Sequence, residues 1–157
     1  MKDLELKIQI SECQMDDLTS DERQLVEMAI EATSRSYARY PNFHVGAAVE
    51  LTNGTRIIGC NQENAAFPAG LCAERTAIFA AGAQYPDIPV KTLAIAARDT
   101  IGELTQEPVS PCGTCRQVMI ETETRFQQPI RILLNGQRRL YIMDGIRHLM
   151  PLSFTEF

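Results

Sequence analysis

Val45-Gly46-Ala47-Ala48-Val49-Glu50-Leu51-Thr52-Asn53-Gly54-Thr55-Arg56-Ile57-Ile58-Gly59-Cys60 holds two apolar-rich runs, residues 45–52 and 55–60, on either side of an Asn-Gly pair. Asn-Gly supplies the positive φ angles of a type I′ turn, so the stretch predicts a β-hairpin. Downstream, residues 72–83 are dense in Ala, Glu, Arg and Ile and predict a buried helix, and the short apolar segment 92–97 predicts a central strand. Pro111 opens a further helix that runs to about Arg125. Residues 130–134 and 138–143 flank a second two-residue turn at Asn135-Gly136, and a short helix over 144–150 ends at Pro151. Upstream, Thr19-Ser20-Asp21-Glu22 forms a Thr-x-x-Glu capping box ahead of Leu25, Met28, Ala29 and Ala32, which share one helical face. Between Leu4 and Ile10 apolar and polar residues alternate, as in a half-buried strand or an arm lying on a partner. Strands alternating with helices imply an α/β fold. Its three α/β/α layers would enclose a mixed sheet of roughly five strands.

The chain of 157 residues fits one domain, expected over 1–157, and shows no linker, repeat or low-complexity segment. Apolar residues at 45% and charged residues at 22% place it among ordinary globular proteins rather than disordered or fibrous ones. Acids at Asp3 and Glu5 interrupt what a signal peptide would need as an apolar stretch, and no run of about 18 apolar residues follows, so a cytoplasmic protein without a membrane span is expected. A net charge of −5 gives no electrostatic reason to approach a polyanion, which favours a small free substrate over nucleic acid. The five cysteines, Cys13, Cys60, Cys72, Cys112 and Cys115, are an odd set that argues against a disulfide framework and for metal binding or catalysis.

Two cysteine groups open two predicted helices: Cys72-Ala73-Glu74-Arg75, and Pro111-Cys112-Gly113-Thr114-Cys115-Arg116. A helix N-terminus favours thiolates through its unpaired N–H groups and dipole. A lone Cys-x-x-Cys serves redox, structural-metal and catalytic-metal roles alike; redox use, however, leaves Cys72-Ala73-Glu74 unexplained. Structural zinc sites close with four protein ligands, whereas catalytic ones keep three and leave a position for water, so three clustered cysteines suggest an open Zn²⁺ site. Glu74, two residues after the first ligand, stands where a proton shuttle belongs. Three thiolates would leave a divalent ion net negative and hinder ionisation of a bound water; Arg75 is placed to offset this through the sulfur.

The joint pattern Cys-x-Glu followed by Pro-Cys-x-x-Cys is that of the zinc deaminases. Beyond it, Phe43-His44-Val45-Gly46-Ala47-Ala48, Gly59-Cys60-Asn61-Gln62-Glu63-Asn64-Ala65, Cys72-Ala73-Glu74-Arg75-Thr76-Ala77, residues 111–117 and residues 151–154 resemble, in order and spacing, the small homotetrameric cytidine deaminases. The resemblance implies hydrolytic deamination of cytidine and deoxycytidine in pyrimidine salvage, with zinc on Cys72, Cys112 and Cys115. It further implies that Asn61 and Glu63 hold the ribose, that Phe43 lies beside the pyrimidine, that the backbone near Ala73 and Pro111 orients the amine, and that Phe154 reaches a neighbouring subunit's site. Core packing is the alternative for Phe43 and Phe154. Cys60 reads as a buried thiol, Cys13 has no evident role, and His44 and His148 read as structural or exposed.

Two positions depart from the family's pattern: Phe67 stands in Asn64-Ala65-Ala66-Phe67-Pro68 where Tyr is common, and Pro41 where Ser is usual. They bear on fine specificity and assembly rather than on reaction type. The rival expectations are a deaminase of another aminated heterocycle, such as blasticidin S, and a noncatalytic zinc module closed by a fourth protein ligand.

Overall fold

The structure, a computed structural model, describes residues 1–155; Glu156 and Phe157, the end of the expected 1–157 domain, lie outside the described residues. In chain order the main elements are β1 (Ser11–Cys13), α1 (Ser20–Ala32), β2 (His44–Leu51), β3 (Arg56–Cys60), α2 (Ala73–Gln84), β4 (Val90–Arg98), α3 (Gly113–Phe126), β5 (Arg131–Asn135) and β6 (Leu140–Asp144). Among the described residues the strands form one six-stranded sheet ordered β1-β6-β5-β4-β2-β3. Only β4 and β5, joined through α3, run parallel; every other neighbouring pair is antiparallel. The sheet is therefore mixed, as expected, with β1 the strand beyond the expected five.

Strand side chains alternate between two cores. Ala47, Val49, Leu93, Ile95, Ile132 and Leu134 pack with Ala73, Ala77, Met119 and Ile120 of α2 and α3. Ala48, Ala94, Ala96 and Leu133 face the other way onto Leu25, Val26 and Ala29 of α1. Both sheet faces are thus covered, and the middles of the central strands are apolar on both sides because their side chains meet a helix either way. Thr19 caps α1 as its sequence predicts: its hydroxyl accepts from the Glu22 N–H while Glu22 Oε2 accepts from the Thr19 N–H at 3.0 Å.

Four local expectations are corrected. Residues 4–10 form no strand; pairing with β6 begins only at Ser11↔Ile142. Continued in this register, residues 4–8 would have to follow β6 past Asp144, where Gly145, at φ +101°, turns the chain away. The β2–β3 hairpin forms, but only Gly54 of the Asn-Gly pair has positive φ, and its N–H closes onto Leu51 O at 2.9 Å. This longer loop replaces the two-residue turn. Asn135 is the buried last residue of β5, and Gly136 answers a close approach: a Cβ there would stand 2.6 Å from the Glu107 carbonyl carbon. The helix expected over 144–150 shrinks to a 3-10 turn, Ile146–His148, because the segment between Gly145 and Pro151 is too short to nucleate an α-helix.

Candidate active site

Cys72 is the N-cap of α2 and Cys112 the N-cap of α3, both extended in φ and ψ and neither using its sulfur to cap the helix. Their side chains are therefore free to point away from the helix axes, and Cys115, buried one turn into α3, joins them. α2 can lie close to the sheet because residue 59 is glycine: a Cβ there would stand 2.4 Å from the Ala77 N and 2.5 Å from the Ala73 O. The three sulfurs lie within 4.8 Å of one another, with Cys72 Sγ and Cys112 Sγ 3.9 Å apart. Thiolates on one tetrahedral zinc, with bonds of ~2.3 Å, stand ~3.8 Å apart, so spacing and donor type both fit Zn²⁺. Among the described residues the ligating group stops at three, as an open site requires.

Cys72 and Cys115 are shifted in opposite directions. A hydrogen bond from Cys115 pulls Cys72 down to about 5, against the opposing effect of burial and with help from Arg75 and Cys112. The same bond, together with burial, pushes Cys115 up. A cation that takes both sulfurs as thiolates displaces the proton they share. Arg75 reaches Cys72 Sγ through Nη2 at 3.6 Å.

Glu74, in the first turn of α2, is 5% exposed. Burial pushes its carboxyl above the ordinary glutamate range, outweighing its own backbone N–H, and negative charge on Cys72 pushes the same way. Glu74, Cys72 and Cys112 line a cavity of about 230 Å³ together with Phe43, Asn61 and Glu63. Asn61 is buried and accepts from the Val45 N–H at 2.8 Å through Oδ1. Its Nδ2 donates to Phe43 O at 3.0 Å and to Glu63 Oε1 at 3.1 Å. One amide thus fixes the entry to β2 and the carboxylate across the cavity.

Other expected residues stand elsewhere. The Ala73 side chain is packed in the core, leaving its backbone at the start of α2. Phe154 is 63% exposed and its carbonyl accepts from Gln117 Nε2 at 3.1 Å; it does not line its own chain's cavity. Phe67 is 80% exposed. Cys60 is half-buried and donates to Arg35 O at 3.2 Å, and Cys13 is half-buried in β1, both apart from the three ligands. His44 Nδ1 pairs with Ser36 Oγ at 2.5 Å, and His148 Nδ1 accepts from the Gln9 N–H at 3.1 Å, which makes both structural. Val45, Ile95, Val109 and Ser110 line the cavity without having been singled out. Val109 and Ser110 immediately precede the Pro111-Cys112 motif, a signal available in the sequence; Ile95 is a mid-strand residue with none.

Residues 19–127 match the model of the cytidine and deoxycytidylate deaminase zinc-binding region. Over 101 residues the chain is 43% identical to a cytidine deaminase of Halalkalibacterium halodurans, covering 64% of this chain and 71% of that protein. It is 44% identical to one of Sporosarcina psychrophila, covering 64% and 69%. Among solved structures, the cytidine deaminase of Burkholderia pseudomallei superposes with a TM-score of 0.74 at 35% identity, over 87% of this chain and 100% of that one. That of Mycobacterium tuberculosis superposes with a TM-score of 0.65 at 29% identity, over 87% and 98%.

Proposed function

The chain belongs to the cytidine and deoxycytidylate deaminase zinc-binding family and is a zinc-dependent cytidine deaminase, and from that premise we propose how its residues divide the work on cytidine and deoxycytidine. Cys72, Cys112 and Cys115 hold the zinc, which when bound lowers the pKa of a water and makes it a nucleophile near neutral pH. Glu74 accepts a proton from the attacking water and delivers it to N3 of the pyrimidine as the oxygen bonds to C4. It then carries the remaining hydroxyl proton to the exocyclic amine, the C4–N bond breaks, and ammonia leaves the uridine or deoxyuridine. The burial that raises its carboxyl suits a group that must both accept and release protons.

Arg75 withdraws electron density from the Cys72 sulfur and so tempers the excess negative charge of three thiolates. Phe43 lies beside the base, Asn61 and Glu63 hold the sugar hydroxyls, and the backbone near Ala73 and Pro111 orients the amine. Phe154, which does not line its own chain's cavity, completes the site of a neighbouring subunit in a homotetramer. A reducing cytoplasm, where thiols persist and free nucleosides are salvaged, suits all five unpaired cysteines. Among the described residues no helix is long and apolar enough to cross a membrane.

The observation that carries this reading is Glu74 sharing one cavity with Cys72, Cys112, Asn61 and Glu63. Glu74→Gln tests it. The variant should keep one zinc per chain by atomic absorption while cytidine turnover, followed by loss of absorbance and release of ammonia, falls at least about 10³-fold. Turnover within tenfold of wild type in the zinc-loaded variant would remove Glu74 from the chemistry.

A further inference from the structure

The alternating segment that failed to join the sheet remains uncovered. Leu4, Leu6, Ile8 and Ile10 are 74%, 50%, 52% and 45% exposed, and they lead directly into β1, the outermost strand at one edge of the sheet. The hydrogen bond from the Gln9 N–H to His148 ties the root of this arm to the body, while residues 4–8 stand clear of any ladder. The arm also precedes the region shared with the deaminase family. A segment with four exposed apolar side chains at period two, next to an open sheet edge, is a template for strand pairing.

Its charges say with what. We propose that residues 4–8 pair antiparallel with residues 4–8 of a second copy of this chain, about a two-fold axis through Leu6. In that register Leu4 lies opposite Ile8 and Leu6 opposite Leu6 on one face, while Glu5 lies opposite Lys7 twice on the other. A slip by one residue sets apolar against polar side chains. A slip by two in either direction restores the apolar face but brings Glu5 onto Glu5, or Lys7 onto Lys7, at the axis. A parallel in-register pairing stacks like charges throughout. The slip toward Glu5 also sets Asp3 opposite Lys7, so the register about Leu6 is set apart by pairing Glu5 with Lys7 twice with no like charges in contact, and its two-fold axis makes the contact isologous. A ladder this short is marginal alone, so the association is reversible and depends on concentration.

Sedimentation over a dilution series tests the pairing with the full zinc-loaded chain, a chain lacking residues 1–8, Glu5→Lys, Lys7→Glu and the double charge swap. These residues are exposed and outside the sheet, so each variant should fold, with circular dichroism of the dilute chain unchanged. The truncated chain should lose one association step, and each single substitution should weaken that step roughly tenfold by facing like charges twice. The double swap should restore it, because Lys at 5 and Glu at 7 complement each other as well as the native pair. If the truncated chain dissociates as the full chain does, or if the double swap associates no better than the single variants, self-pairing is wrong and the apolar face belongs to a different partner.

Discussion

Asn61 touches no sulfur, yet it joins three parts of the cavity: the Val45 N–H, the Phe43 carbonyl and the Glu63 carboxylate. Replacing it by Ala strands a part-buried donor and acceptor and frees Glu63 to rotate. We expect Asn61→Ala to lose about 1–3 kcal/mol by urea unfolding. Its KM for cytidine should rise by a larger factor than its kcat falls if, as proposed, the groups disturbed position substrate rather than move protons. Equal effects on both would place Asn61 in the chemical step instead. At this scale the sequence discloses what is local: Cys72, Glu74 and Arg75 share one helical turn, and Cys112 and Cys115 another, so spacing alone brings them to two helix starts. Ile95 is opaque in the sequence because a cavity wall built by a central strand differs in no residue type from the core beside it.

Among the elements, α2 bears most directly on the site, since Cys72, Glu74 and Arg75 ride on its first turn, and its seat on β3 depends on residue 59. Gly59→Ala places a methyl group against the backbone of Ala73 and Ala77, which cannot rotate out of the way. We expect a loss of about 3 kcal/mol or more, together with less than one zinc retained per chain after dialysis, because the helix start carrying Cys72 must shift. The same substitution at Gly82, inside α2 with nothing within 4 Å of the added Cβ, should instead stabilise by about 0.5–1 kcal/mol. Thermal melts of the two variants side by side check both signs. Helix α1 was legible from its capping box, and α2 and α3 from composition and from Pro111. The Asn-Gly pairs misled because glycine answers needs other than a two-residue turn, as at Gly136, where the neighbouring chain passes too close for a side chain. The alternation over residues 4–10 misled because periodicity describes a strand's faces and says nothing of whether a partner edge exists.

For the molecule as a whole, pH dependence should come from the acid side. Burial pushes Glu50 up, but hydrogen bonds from Lys91 and Arg56 outweigh it and hold the carboxyl below its ordinary range. Glu22 is likewise pushed up by burial and held below that range by the Thr19 N–H and by Arg131. A carboxyl lowered in the fold contributes stability that is fully present above its unfolded pKa, ~4.3, and lost as pH falls through the folded value. Urea midpoints should therefore decline once pH drops below about 5, whereas the raised Glu74 carboxyl acts the other way and costs stability as pH climbs from there toward its folded value. Glu50→Gln should start lower and decline less; an equal decline would assign the acid sensitivity elsewhere. Fold class and layer order were legible because alternation between two buried faces is written into β2, β4 and β5. The sixth strand was not, since three residues at an edge carry no periodicity of their own. The sheet also keeps the two cores apart: Ile95 and Ala73 pack on the side of the chemistry, Ala94 and Ala96 on the side of α1. Redesign for heat tolerance can thus be confined to the apolar side chains of the α1 layer, which could be repacked while the residues lining the cavity keep theirs.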